Sequence, residues 1–240
     1  MSSKKSSGNI KGFILISIIL LIVFSLGFFP VIFAWRTFLL FVSFNQLWYY
    51  FLLPFFIYFG IMITVFFQVL ISGIFIHVFR IKYSPGVYEY SINNKMAFKW
   101  IVVCALYTPI RKILEIITLG IKNTYYRLLG MKIGENSLVG GIIKDPCLTE
   151  FGDNVTMGEY AIIYGHIHNY EKGTITMDRV KIGNNCIIGA GSIIMPGAIL
   201  EDGVKLAAGA VVTKGQVLKK GKIYGGTPAK EIKKKKRNFS

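Results

Sequence analysis

His166 and His168 stand two residues apart in the segment HIHNYEKG, and they are the only histidines outside the strongly apolar first third of the chain. A neutral imidazole titrates near a pKa of about 6.5, so it suits the task of taking a proton from a hydroxyl or amine at neutral pH. Either histidine could be such a base, and either could instead hydrogen-bond a substrate. Two histidines fall short of the three that a histidine-only catalytic metal site uses, so no metal is expected. Cys104, Cys147 and Cys186 have neither metal-ligand nor disulfide spacing, and all have apolar neighbours. They are expected to be small buried side chains of a protein whose soluble part meets a reducing compartment.

The element that must hold the two histidines is a repeat. From Ile133 the sequence advances in steps of six, led by Ile133, Val139, Asp145, Phe151, Met157 and Ile163. A second run is led by Ile182, Ile188, Ile194, Leu200, Leu206 and Val212. Only Asp145 among these leading residues is not apolar. Glycine follows many of them, and smaller residues such as Cys186, Ser192, Ala198, Val204 and Ala210 come four positions later. An α-helix would need a period of about 3.6, and a hairpin sheet would not keep a strict six-residue step. A coil with three flat faces satisfies the period: leading residues point inward, and glycine and small residues turn the corners. About four to five stacked coils are implied, which is enough to bury a continuous apolar column. Between the two runs, residues 164–179 break the period and carry both histidines. A loop that interrupts a rigid coil protrudes from it, and function concentrates on such loops.

Ahead of the repeat the chain has a different character. After a polar start with Lys4, Lys5 and Lys11, residues 12–35 are apolar apart from the break at Pro30. This run exceeds the core of a signal peptide and lacks a small-residue cleavage site, so it reads as a membrane-spanning helix. A second apolar stretch runs from Leu47 to Phe79, interrupted by Pro54, with its spanning part expected near residues 57–79. Lysines precede the first helix and Arg80 and Lys82 follow the second, which puts both termini on the cytoplasmic side. His77 is expected to reach for the interface from the helix end. Residues 83–94 read as a polar turn. Residues 97–129 read as amphipathic, with Ile110, Ile113, Leu114, Ile117 and Ile121 on one face and Arg111, Lys112, Glu115 and Lys122 on the other. That stretch could lie in the membrane interface or pack on the coil.

The expected organisation is a two-helix membrane anchor over residues 1–82 and amphipathic juxtamembrane helices over 83–130. A β-helix domain then occupies 131–225, with the protruding loop 164–179, and a basic tail occupies 226–240. The formal net charge of +16 could suit nucleic acid, but no nucleic-acid motif accompanies it. An anionic cofactor or an anionic lipid surface explains it as well, and the run Lys234–Arg237 is expected to be solvated or lipid-facing.

The segments IGNNCIIGAGSIIMPGAILEDG, AAGAVVTKG and YGGTPAK, together with the histidine-bearing loop before them, resemble the left-handed β-helix acyltransferases of the hexapeptide-repeat superfamily. This group includes galactoside, maltose, serine and xenobiotic acetyltransferases. The resemblance covers about residues 124–236, and the stretch TYYRLLGMKIG with the anchor is similar to the membrane-bound branch. It implies an all-β left-handed parallel β-helix after the N-terminal helices, and transfer of an acetyl or other acyl group from acyl-CoA. In the family a loop histidine is the base. A histidine followed three residues later by an acid matches His168 with Glu171, the latter as an orienting carboxylate or a plain surface acid, and His166 remains the other candidate. By motif position Ala190 and Ala208 match residues that meet the pantetheine arm. Thr213 and Lys214 match the turn by the cofactor's far end, and Lys230 and Lys233 match basic residues that meet its phosphates. Oxyanion donors are expected among backbone N–H groups near Gly189–Gly191.

The resemblance also implies a homotrimer. The acceptor is expected to be the hydroxyl of a membrane-linked or cell-envelope sugar. An amine acceptor and a non-catalytic scaffold are the alternatives, and the same coil's carbonic anhydrase class would need a third histidine.

Overall fold

A computed structural model describes residues 2–41, 47–116 and 121–233. The chain divides into two units, one made of residues 1–81 and 98–120 and the other of residues 82–97 and 121–240.

The first unit is helical. Its helices are α1 (Ser2–Phe41), α2 (Leu47–Val78) and most of α3 (Lys95–Ile116). Stretches Ile10–Leu40 and Leu47–Val78 have mean hydropathies of 2.8 and 2.3, and both are long and apolar enough to cross a membrane. Helix α1 begins at Ser2, within the polar start, and continues through Pro30 and Arg36. Pro54 is likewise inside α2, which starts ten residues before the span expected from sequence. Proline is tolerated in apolar helices because their neighbours re-satisfy the freed backbone groups. The amide of buried Gln68 joins the two long helices by donating to the Phe24 carbonyl at 2.9 Å. Gly27 makes room for it, since a Cβ there would come within 2.3 Å of the Gln68 side chain. Such a close approach at a small residue, with a polar bond across it, is how apolar helices associate. His77 is exposed in the last turn of α2.

The amphipathic stretch holds two helices, in line with the helices expected there. Asn94 starts α3, its Oδ1 accepting from the N–H groups of Met96 and Ala97 at 3.0 and 3.2 Å. The second helix, α4 (Lys122–Leu128), belongs to the other unit. Arg111, expected on the polar face, is buried and ion-paired with Glu115 one turn away. Ile117 and residues 118–120 between the helices lie outside the described residues, as do Asn45 and Gln46 of the polar break and the basic run Lys234–Arg237.

The second unit is a parallel β-helix. Its first coil contains β2 (Lys132–Ile133), β3 (Leu138–Val139) and β4 (Ile142–Ile143), and its second β5 (Thr149–Phe151), β6 (Thr156–Met157) and β7 (Ile162–Ile163). A hairpin of β8 (His166–Asn169) and β9 (Thr174–Met177) follows. The third coil has β10 (Val180–Ile182), β11 (Ile187–Ile188) and β12 (Ile193–Ile194), and the fourth β13 (Ile199–Leu200), β14 (Lys205–Leu206) and β15 (Val211–Val212). A partial fifth coil has β16 (Val217–Leu218) and β17 (Ile223–Gly225), and β18 (Lys230–Glu231) turns back antiparallel on β17. The strands stack as three parallel sheets, the organisation typical of a left-handed hexapeptide β-helix. Val139, Met157, Ile188 and Leu206 form one inward column of a core that is almost fully buried. One corner column consists of Asn136, Asn154, Asn185, Gly203 and Gly221, all with φ between 53° and 70°. Asparagine and glycine are the residues that adopt this left-handed backbone at least cost.

Gly189 illustrates how tightly the coils stack. A Cβ there would lie 2.4 Å from the Ala208 nitrogen and 2.6 Å from the Ala207 carbonyl carbon, both backbone atoms of the next coil. Gly189→Ala is expected to destabilise the protein by about 1–3 kcal/mol, the usual range for overpacking. Chemical unfolding of the full chain in detergent reads this directly, and an unchanged midpoint would refute the stacking argument.

Helix α4 covers the open side of the first coil. Arg127 donates to the carbonyl of Ile133 at 3.2 Å, Asn123 to Ser137 at 3.0 Å and Lys122 to Gly141 at 2.8 Å. In the second coil the matching carbonyls of Phe151, Val155 and Ala161 accept from Gly134, Leu138 and Ile142 of the coil below. The three side chains of α4 therefore stand where the amides of a preceding coil would be.

The polar turn expected at residues 83–94 contains a strand, β1 (Gly86–Glu89). It pairs antiparallel with β9, so the protruding loop is one part of a three-stranded sheet in the order β1-β9-β8.

Candidate active site

Asp145, the single misfit of the repeat, is not an inward residue of a face. Ile143 takes that role and pairs with Ile163 of the next coil. The step from Val139 to Ile143 is four positions, and that from Ile143 to Phe151 is eight. A corner shortened by two residues is followed by one lengthened by two, and Asp145 lies in the longer, just before the 3-10 turn Pro146–Leu148.

The Asp145 side chain is completely buried. A buried carboxylate is tolerated only when it is paired or hydrogen-bonded, and this one is supplied from three directions. The Gly165 N–H donates to its Oδ2 at 2.8 Å, His166 Nδ1 lies 2.7 Å from the same oxygen, and the Tyr83 hydroxyl donates to Oδ1 at 2.8 Å. A carboxylate on Nδ1 favours the imidazole tautomer with its proton there. Nε2 is then the proton acceptor.

His166 and His168 are on one face of β8, as a period of two requires, with ring centroids 5.3 Å apart. The His166 side chain is 12% exposed. His168 stacks on the exposed Tyr170 ring at 5.6 Å and meets the edge of Tyr90 at 4.7 Å. Burial, and secondarily the neighbouring His166, holds the His168 pKa below the usual histidine value, against the pull of Asp145. Neutral at physiological pH, the His168 ring can accept a proton or hydrogen-bond a ligand as well as stack. Burial pushes the Cys147 thiol up to about 11, so this neighbour of Tyr83 stays protonated, and burial also raises Cys186.

The other residues expected in a site are spread along the coil. Glu171 is exposed in the turn between β8 and β9, and the carboxylate bonded to His166 is Asp145. Ala190 and Ala208 are exposed at the same corner of successive coils, linked by Gly209 N–H donating to the Ala190 carbonyl at 2.9 Å. Thr213 and Lys214 are exposed after β15, with Thr213 Oγ1 3.1 Å from Gln216 Oε1. Lys230 is exposed in β18 at the far end of the stack, and Lys233 lines an open cleft of about 500 Å³ with Lys205, Lys222 and Glu231. Two of the three N–H groups expected to supply oxyanion donors have backbone partners. Gly189 N–H donates to the Leu206 carbonyl and Gly191 N–H to the Glu159 carbonyl, so both are committed to neighbouring coils.

Sequence reasoning missed Asp145, Tyr83 and Tyr90 as parts of this cluster. Asp145 did leave a signal, as the one charged residue in the leading positions. Tyr83 and Tyr90 left none, because they reach the site from a segment outside the repeat.

A family model described as bacterial transferase hexapeptide (six repeats) matches residues 179–214. No curated protein matches the chain. Among solved structures, the chain is similar to a hexapeptide transferase family protein from Anaplasma phagocytophilum, with 29% identity and a TM-score of 0.34 over 45% of this chain and 57% of that one. The chain thus spans little more than half the length of that relative. It is also similar to a maltose O-acetyltransferase from Clostridium difficile 630, with 25% identity and a TM-score of 0.47 over 62% and 92% of the two chains. A third similar structure is a hexapeptide-repeat acetyltransferase from Vibrio cholerae O1 biovar eltor complexed with acetyl coenzyme A. Its identity is 21% and its TM-score 0.41, over 51% of this chain and 82% of that one.

Proposed function

We propose that this protein transfers an acyl group, acetyl in the simplest case, from coenzyme A to a hydroxyl of a membrane-linked sugar, with His166 as general base. The observation that carries the reading is the buried Asp145–His166 pair at the root of the hairpin, on a coil whose third and fourth turns match a transferase model. His166 Nε2 takes the acceptor's proton as the oxygen attacks the thioester carbonyl. The tetrahedral intermediate then collapses, the C–S bond breaks, and the imidazolium returns its proton to the departing thiolate. Asp145 holds the ring and stabilises the imidazolium between the two steps. His168 with Tyr170 and Tyr90 offers a stacking and hydrogen-bonding surface beside the base, which supports an acceptor-binding role for His168.

The exposed small residues Ala190 and Ala208 leave an unobstructed corner for the pantetheine arm, and Thr213, Lys214, Lys230 and Lys233 supply polar and cationic groups further along. The two apolar helices support action at a membrane, where tethering raises the effective concentration of a lipid-linked acceptor. The flanking lysines and arginines favour a cytoplasmic β-helix. A homotrimer would cover the half-exposed outward side chains of Ile142, Ile162, Ile193 and Val211 on one flat face.

Coenzyme A release by the full chain in detergent, with acetyl-CoA and lipid-linked sugar acceptors, tests the activity. Ala208→Phe is expected to raise KM for acyl-CoA about tenfold, equivalent to about 1.4 kcal/mol of lost groove contact, with kcat little changed. No acyl-CoA-dependent thiol release with any hydroxyl or amine acceptor would overturn the reading.

A further inference from the structure

We propose that the Tyr83 hydroxyl is a positioning group for the His166 base, acting through Asp145, and that residues 83–90 are a working part of the site. The inference rests on His166 being the base. It adds a residue from outside the repeat and the hairpin, one that no motif marks.

Tyr83 is 4% exposed, and its hydroxyl donates to Asp145 Oδ1 at 2.8 Å. The opposite oxygen, Oδ2, faces the Gly165 N–H and His166 Nδ1. With donors on both oxygens the carboxylate cannot rotate without breaking a bond, so the plane of the acceptor offered to Nδ1 is fixed. The same segment acts on the histidine strand by a second route. After Tyr83 the chain forms β1, which pairs with β9 from Gly86↔Met177 to Glu89↔Thr174, and β9 pairs with β8 from His166↔Met177 onward. Tyr90 then sets its ring against His168. Eight residues thus fix the carboxylate, the strand that carries the base and the neighbouring imidazole.

The phenol also sets how much negative charge the carboxylate presents. A hydrogen bond to a charged acceptor is among the stronger kinds in a protein. Without it the carboxylate draws more on the imidazolium, and His166 becomes easier to protonate. The other groups facing Asp145 are the Gly165 amide, the neutral Cys147 thiol and His168, and Lys82 places a positive charge near Cys147. Tyr83→Phe keeps the ring's volume, and among these groups it takes a hydrogen bond only from the Cys147 thiol, which burial keeps protonated.

The test uses the full chain in detergent micelles. Tyr83→Phe is expected to lower kcat about tenfold, the scale of one lost hydrogen bond to a charged group. The acid limb of kcat/KM should move up by about one pH unit, the same energy read on a titration. A site-specific 3,5-difluorotyrosine at position 83, a stronger donor, should move the limb the opposite way, and it carries the test if the phenylalanine variant does not fold. Titration of the His166 ring by NMR gives a readout independent of turnover. Unchanged kcat and pH profile in Tyr83→Phe would overturn the inference. A fall in kcat with an unmoved limb would also overturn it, because packing alone would explain that result. If His166→Asn keeps full turnover while Tyr83→Phe still shifts the His166 titration, the base assignment fails and the positioning by Tyr83 stands.

Discussion

His166→Asn is expected to lower the rate of coenzyme A release by about 10²–10⁴-fold, the usual contribution of a positioned general base. Asparagine keeps a polar group of similar reach opposite Asp145, so the fold should survive and the loss should appear in kcat. His168→Asn is the informative partner variant. His168 stacks on Tyr170 and meets the edge of Tyr90 beside the base, so its removal should act mainly on KM for the acceptor. The two histidines are two residues apart on one strand face, and a generic disturbance of the hairpin would affect both variants alike. Steady-state assays at saturating acyl-CoA separate the outcomes. A His166→Asn enzyme within threefold of wild type, or a His168→Asn enzyme with the larger kcat defect, would remove His166 from the role of base.

Asp145→Asn is expected to lower turnover by about 10³–10⁴-fold, the scale seen when a buried carboxylate that orients a catalytic imidazole becomes an amide. The reason is the tautomer. Oδ2 serves both the Gly165 N–H and His166 Nδ1, and an amide has only one acceptor oxygen. If that oxygen stays on Gly165 and His166, the amide nitrogen meets the Tyr83 hydroxyl donor. If the amide turns the other way, its N–H groups face His166 Nδ1 and move the ring proton to Nε2, the atom that must accept. Either arrangement also leaves a buried donor without its acceptor, at about 1–3 kcal/mol, so a lower unfolding midpoint should accompany the loss of rate. Measuring kcat well below the unfolding temperature keeps the two effects apart. Retention of a third or more of wild-type turnover would contradict the orienting role.

The coil was legible in the sequence because its geometry allows little else. Each face needs one inward apolar residue and each corner a small or left-handed one, so the period survives in the residues themselves. The histidine-bearing interruption was equally legible. The carboxylate partner was not. The spacing within the loop points to Glu171 three residues after His168, whereas the bond forms between His166 and a residue 21 positions earlier. Asp145 stood out only as a misfit, and its meaning depends on a corner shortened by two residues and the next lengthened by two, which a fixed step of six cannot represent. Tyr83 is 62 positions from Asp145, and β1 pairs with a strand almost ninety residues later. Long-range pairings of that kind leave no local period. The helices show the converse difficulty. Apolar composition located the two spanning stretches, but the start of α1 at Ser2 lies within the polar segment, where no change of hydropathy marks it.

The donors that α4 offers to the first coil have a consequence for what the molecule can build. A stack of parallel coils is a template at both ends, and an open end invites another copy to dock head to tail and grow into a filament. Polymerisation of that kind needs an acceptor surface as well as a donor surface. Lys122, Asn123 and Arg127 occupy part of the acceptor surface with side chains of the same molecule. A second copy stacking on this end would have to displace those bonds before it could pair with the carbonyls of Ile133, Ser137 and Gly141.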